Sequence, residues 1–194
     1  MAVLSHEDDP WAGRRSVRGY ALDELISALQ KLIRRCEMEE AILVARELWE
    51  TGEDVEDKLW ERLRVISVED LGGSEPLVML EVQTLNYLRT SLPPRSRDRW
   101  LMAVQAVRRL AELPKDRSTD DIAAWAILML TTGRRKPTIP DYALDVHTRR
   151  GQLAGKDSLD FLRSSAKVGL QSSSYDERYW RILVEAAEEG VWND

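Results

Sequence analysis

An all-α fold is predicted by three features of the sequence. Apolar residues recur at the i, i+3, i+4, i+7 spacing of one helix face in stretch after stretch. Strand-like alternation of β-branched residues is absent. Glycine, proline and serine separate the periodic stretches at about one helix length. Eight to nine helices joined by short links are expected, packed as a single helical domain, with no fixed-period repeat of the kind that builds a solenoid.

The first helix is expected in "ALDELISALQKLIRRC", where Leu22, Leu25, Ile26, Leu29 and Ile33 share a face. The second follows in "EMEEAILVARELWETG", with Met38, Ala41, Ile42, Ala45 and Leu48 on one side and Gly52 as a left-handed stop. Asp54 is expected to cap a third helix, whose stripe is Val55, Leu59, Leu63 and Ile66, before Gly72 and Gly73 end it. Ser74 and Pro76 suit the cap and first turn of a fourth, through "LVMLEVQTLNYLRTSL". Pro93 and Pro94 break it, Ser96 opens a fifth in "RDRWLMAVQAVRRLAEL", and Pro114 closes that one. Ser118 or Thr119 begins "DDIAAWAILMLTTG", the most apolar helix and hence the one expected to be most buried. "RRKPTIP" reads as a turn, followed by a short helix through "DYALDVHTRRG" and two more around residues 157–168 and 175–189.

Composition bounds the function. The chain has 194 residues, enough for one domain with a real core. At 43% hydrophobic and 32% charged residues it reads as a globular protein, and no run approaches the roughly 18 apolar residues of a membrane span. "MAVLSHEDDPW" turns acidic early and lacks a signal-peptide core. The single cysteine, Cys36, excludes an intrachain disulfide and a cysteine metal cage, which makes a reducing cytoplasm the expected compartment. A net charge of −6 opposes a broad nucleic-acid surface.

Few stretches carry chemistry. "GQLAGKD" has three residues between its glycines, Asp157 in place of the Ser/Thr and no strand before it, so it fails as a phosphate loop. Neither ATP hydrolysis nor any other cofactor is expected. "PDYALDVHTRRG" holds Asp141, Asp145, His147, Arg149 and Arg150. On a helix, Asp145 and His147 would lie roughly 200° apart and not share an ion. His147 would face the apolar side with Leu144 and Ala143, while Asp145 would pair with Arg149. The reading is a well-punctuated helix with a core histidine; a ligand-contacting patch is the alternative. Basic clusters stand at Lys31, Arg34 and Arg35, at Arg108 and Arg109, and at Arg134, Arg135 and Lys136. Such helix-end cations are ordinarily dipole partners in water, with phosphate contact as the sharper reading. Trp100 and Trp125 fall on apolar faces and are expected in the core. Trp49 and Trp60 lie off the stripes of their helices, as a second packed layer or a subunit interface would require.

Glu69 and Asp70 pose a sharper problem, because they stand at the C-terminal end of the third helix, where the dipole disfavours carboxylates. A structural tie is expected. The candidates are the free amides around Leu77 and Val78, or Arg34 or Arg35 reaching across from the end of the first helix; the alternative is that both acids point into water.

"DELISALQKLIRR", "AILVARELWETGEDVEDKLWERLRVISVEDLGGSEP" and "AVQAVRRLAELPKDRSTDDIAAW" together resemble the C-terminal helical region of the RarA/MgsA family of AAA+ ATPases, which are related to clamp loaders and act at stalled replication forks. The shared pattern falls at Glu24 to Leu29, Lys31, Gly52, Asp54, Glu69, Asp70, Gly72, Pro76, Pro114 and Lys115, in one order and spacing over residues 19–125. Val68 departs from the family's serine, and no ATPase module accompanies the region in this chain. "IPDYALDVHTRRG" is similar to a segment in some relatives. The resemblance implies a clamp-loader-collar-like domain over residues 19–132, with a flexible segment 1–18 before it and further helices 133–194 packed on it. It also implies self-association as a tetramer, contact with a separate AAA+ ATPase or replication protein, and a non-enzymatic oligomerisation or adaptor role in DNA replication, repair or recombination. The competing classes are a small metal-dependent hydrolase or nuclease built on Asp141, Asp145 and His147, and a helical DNA-binding module using Lys31, Arg34, Arg35, Arg149 and Arg150.

Overall fold

The computed structural model describes residues 9–192. Among them no strand forms, and nine α-helices carry the fold: α1 (Leu22–Arg34), α2 (Met38–Thr51), α3 (Glu53–Glu69), α4 (Val78–Thr90), α5 (Arg97–Glu112), α6 (Ser118–Thr131), α7 (Arg149–Leu153), α8 (Ser158–Asp160) and α9 (Arg178–Glu188). A 3-10 turn covers Asp141–Ala143, and a π turn, Phe161–Ser165, continues α8. The described residues divide into two compact units between Arg134 and Arg135. The physical reason is the run from Gly133 to Pro140, which begins at a left-handed glycine and holds two prolines, so no helix crosses it.

In the first unit, α2 packs on α1, α3 and α5, and α4 packs on α3 and α5. The expected stripes are the core: Leu22, Leu29, Ile33, Leu48, Val55, Leu59, Leu63 and Ile66 are inaccessible to solvent, joined by Leu110 of α5. Burial of each such side chain contributes roughly 1.5–3 kcal/mol. Trp49 and Trp60 belong to the same core, and Trp60 is only 1% exposed. They form the second packed layer rather than a subunit interface. The reason lies in α3, which contacts α1 and α2 as well as α4 and α5 and therefore needs two apolar faces. Trp100 packs against Trp49, with ring centroids 5.6 Å apart.

A charged triad is buried within this core. Glu56 accepts from Arg99 Nε at 2.8 and 3.1 Å and lies 3.2 Å from Arg89 Nη1. Arg99 also donates to the carbonyls of Arg89 and Leu92, so the three side chains tie α3, the end of α4 and the start of α5 together.

Several helix boundaries and burials differ from expectation. Gly52 has φ 178°, extended rather than left-handed, and it is itself the N-cap of α3 in place of Asp54. The left-handed position after α1 falls instead to Cys36, at φ 63°. Ser74 does not cap α4; its hydroxyl donates to the carbonyls of Leu71 and Pro114, and α4 begins later, at Val78. Ser96 does cap α5, accepting from Arg99 N. Helix α6 spans the expected residues but is not the most buried: none of its side chains is buried, and Trp125 is half exposed. Apolarity all round gives a helix no preferred inner face, and α3 is the helix that α6 packs on in its own unit.

The flexible segment expected at residues 1–18 lies outside the described residues up to residue 8. From Asp9 onward the chain is tied down rather than free. Arg14 pairs with Asp54 at 2.7 Å, Val17 N donates to Thr51 Oγ1 at 3.3 Å, and Arg18 N donates to Glu47 Oε1 at 3.0 Å. The Arg18 guanidinium bridges Glu47 and Glu50. Burial alone would push the Glu47 carboxyl up, but hydrogen bonds from Ser16 and Arg18 outweigh it and hold the group below the ordinary range.

Candidate functional site

The end of α3 answers the dipole problem. Asp70 is the C-cap of that helix and is fully buried. Arg34, in the last turn of α1, donates Nε to Asp70 Oδ1 at 2.6 Å and Nη2 to Glu69 Oε1 at 2.8 Å. Its hydrogen bond to Asp70 is the chief reason its own pKa is raised. Gln30 Nε2 adds a long contact to Asp70 Oδ2 at 3.4 Å. Arg117, just before α6, stands 3.5 Å from Asp70 and 3.8 Å from Glu69, and the Asp70 carbonyl accepts from Asp116 N at 2.8 Å. The unfavourable dipole is thereby offset by two cations, one of which is welcome at the C-terminal end of α1. The tie runs to Arg34, and neither to the exposed Arg35 nor to the amides of α4.

Both glycines of the junction sit where other atoms approach closely, backbone at Gly72 and a side chain at Gly73. A Cβ on Gly72 would sit 2.7 Å from the Val68 carbonyl oxygen, and one on Gly73 would overlap the Asp116 carboxylate. The junction therefore holds the start of α6 against the end of α3.

Beside it runs an open groove of about 530 Å³, walled by Val65, Val68 and Ala123 with Glu61, Arg64 and Thr119 at its edges. Apolar atoms make up most of its surface. Further along α6, Ile122 is 63% exposed and Leu130 57%. Exposed apolar side chains so concentrated on one helix are the mark of a binding surface.

The segment from Asp141 to Gly151, in the second unit, is not the expected helix. After the 3-10 turn, the Asp145 carboxylate accepts from His147 N at 3.1 Å, an Asx turn that competes with helix formation. Thr148 then caps α7, accepting from Gly151 N. The non-helical path brings together what a helix would have separated: Asp145 Oδ2 stands 3.4 Å from His147 Nδ1. His147 is 51% exposed at its side chain and lies edge-on to Phe161, so it is not a core histidine. Among the described residues no ion pair joins Asp145 to Arg149. Arg149 and Arg150 open α7, at the dipole end that disfavours cations, and both are exposed. Asp141 pairs with Lys156 at 3.2 Å. Gly151 is the residue that permits this path, because a Cβ there would lie 1.9 Å from the Asp145 carbonyl oxygen.

Several cations of the basic clusters are engaged within the chain. Lys31 donates to Ser27, Arg34 is committed to Glu69 and Asp70, Arg108 pairs with Glu112 and Arg109 with Glu81. The buried Glu56–Arg89–Arg99 triad escaped the sequence analysis. Its signal was present, since Glu56 sits four residues before Trp60 and seven before Leu63, on an inward face. Among the described residues no group of three His, Cys, Asp or Glu is placed to hold a metal ion, and no helix is long and apolar enough to cross a membrane.

Compared with known proteins, the chain matches no family model and no curated protein.

Proposed function

We propose that this chain is a non-catalytic assembly module, self-associating and acting as an adaptor for a replication-associated AAA+ ATPase, as its resemblance to the RarA/MgsA C-terminal region implies. The observation that carries the reading is α6, uncharged from Ile122 to Thr131 and exposed on most of that stretch. Such a helix suits a contact made between chains. The Glu69–Asp70–Gly72 junction, part of the shared pattern, supports it by fixing where α6 starts. Light scattering after gel filtration tests the reading: a mass above the 22.3 kDa of one chain is expected, and a single-chain mass at about 50 µM would count against it.

A second reading is favoured by the Asp145–His147 contact. A carboxylate 3.4 Å from a half-exposed imidazole is similar to the pairing a general base uses, and it belongs to the hydrolase or nuclease class. A panel of nuclease and phosphatase substrates, with and without divalent metal, separates the two. Turnover lost in His147→Ala would favour the enzyme; no turnover on any substrate would leave the assembly module.

A further inference from the structure

Two opposite charges stand at the two ends of α6 and cannot meet within one chain. Asp121 lies in its first turn and Arg134 just beyond its last, thirteen residues on. At 1.5 Å per residue that separation is roughly 20 Å. Neither makes an ion pair among the described residues, whereas Asp120 next door is committed to Arg117. Between them the sequence "IAAWAILMLTTG" carries no charge at all. Asp121, Trp125, Leu128 and Thr132 follow at i, i+4, i+7 and i+11, so one stripe leads from the acid through two large apolar residues. Ala123 and Thr119, which line the groove on α3, lie on the other side of the helix.

We infer that α6 is the self-association surface, pairing antiparallel with α6 of a second copy about a two-fold axis near Leu128. The inference rests on the assembly reading above and goes beyond it by naming the surface and the geometry. A two-fold contact must be self-complementary, and this helix is so only when reversed: antiparallel, Asp121 of each copy faces Arg134 of the other, and the two helix dipoles oppose. A parallel pair would set acid against acid and base against base. Ile122, Trp125 and Leu128 then cover one another between the two ion pairs, and apolar surface now open to water is removed from it.

Sedimentation equilibrium on the full chain at low salt tests this. The variants are Asp121→Arg, Arg134→Asp, the two combined, and Leu128→Glu, all at exposed positions outside the core. Each single charge reversal is expected to weaken self-association by about 2- to 30-fold or more, as two symmetric exposed ion pairs would. The double reversal should restore it to within about twofold, because it re-creates the pair with its signs exchanged. Leu128→Glu should abolish it. Self-association that ignores all four variants overturns the α6 interface while leaving the assembly reading standing. A wild-type chain of single-chain mass overturns both.

Discussion

Asp70 is a buried carboxylate whose partners keep their own charges partly in water, Arg34 being 26% exposed at its side chain and Arg117 37%. Removing it lets both cations rehydrate instead of stranding them. Asp70→Ala should therefore cost about 1–3 kcal/mol, below the 3–5 typical of a fully stranded buried charge. Glu69→Ala, at a more open position, should cost under about 1 kcal/mol. Thermal melts decide it, and two unchanged midpoints would show that the tie to Arg34 and Arg117 adds nothing to stability. Glu47 supplies a pH-dependent case. Its pKa in the folded chain is lowered from about 4.5, so its contribution is fully present above that pH and is lost as the pH falls through the folded value. Urea titrations at a series of pH values should find the stability gap between wild type and Glu47→Gln intact at neutral pH and closing in acid. A gap that stays constant from about pH 7 to 3 would contradict the linkage.

Helices α3 and α6 show how far periodicity carries at the scale of an element. The stripe of α3 was legible because Val55, Leu59, Leu63 and Ile66 repeat cleanly. Its second inward face, with Trp60 and Glu56, was not, since it depends on α4 and α5 arriving on that side. Helix α6 is the converse case: it is apolar yet has no buried side chain, because burial needs neighbours. Trp60→Ala should cost about 3–5 kcal/mol, whereas Leu130→Ser on α6 should stay within about 0.5 kcal/mol. Denaturant midpoints of the two variants check the contrast. A Leu130→Ser loss comparable to that of Trp60→Ala would place α6 inside a core.

For the whole molecule, net charge and pairing act in the same direction. The chain carries −6 overall, and most cations of its first unit, such as Arg34, Arg108 and Arg109, already face carboxylates. Each such pair is a cation less able to displace counterions from a duplex. DNA binding, measured by fluorescence anisotropy, should be weak and fall steeply with salt. Nanomolar affinity that persists at high salt would overturn that expectation.

The all-α class, the cores of α1 to α3 and the Ser96 cap follow from local rules, because a helix stripe, a cap and a proline act within a few residues of one another. The same rules placed Arg34 among the partners of Glu69 and Asp70, since a cation at one helix end and acids at another had to be reconciled. Tertiary structure alone decided that Arg117 joins them, that Glu56 is buried between two arginines and that α6 stays open. It also bent residues 141–151 around Gly151, so that Asp145 meets His147. Each of these depends on groups distant in sequence or on a backbone path that leaves the helix, and neither is encoded in a period.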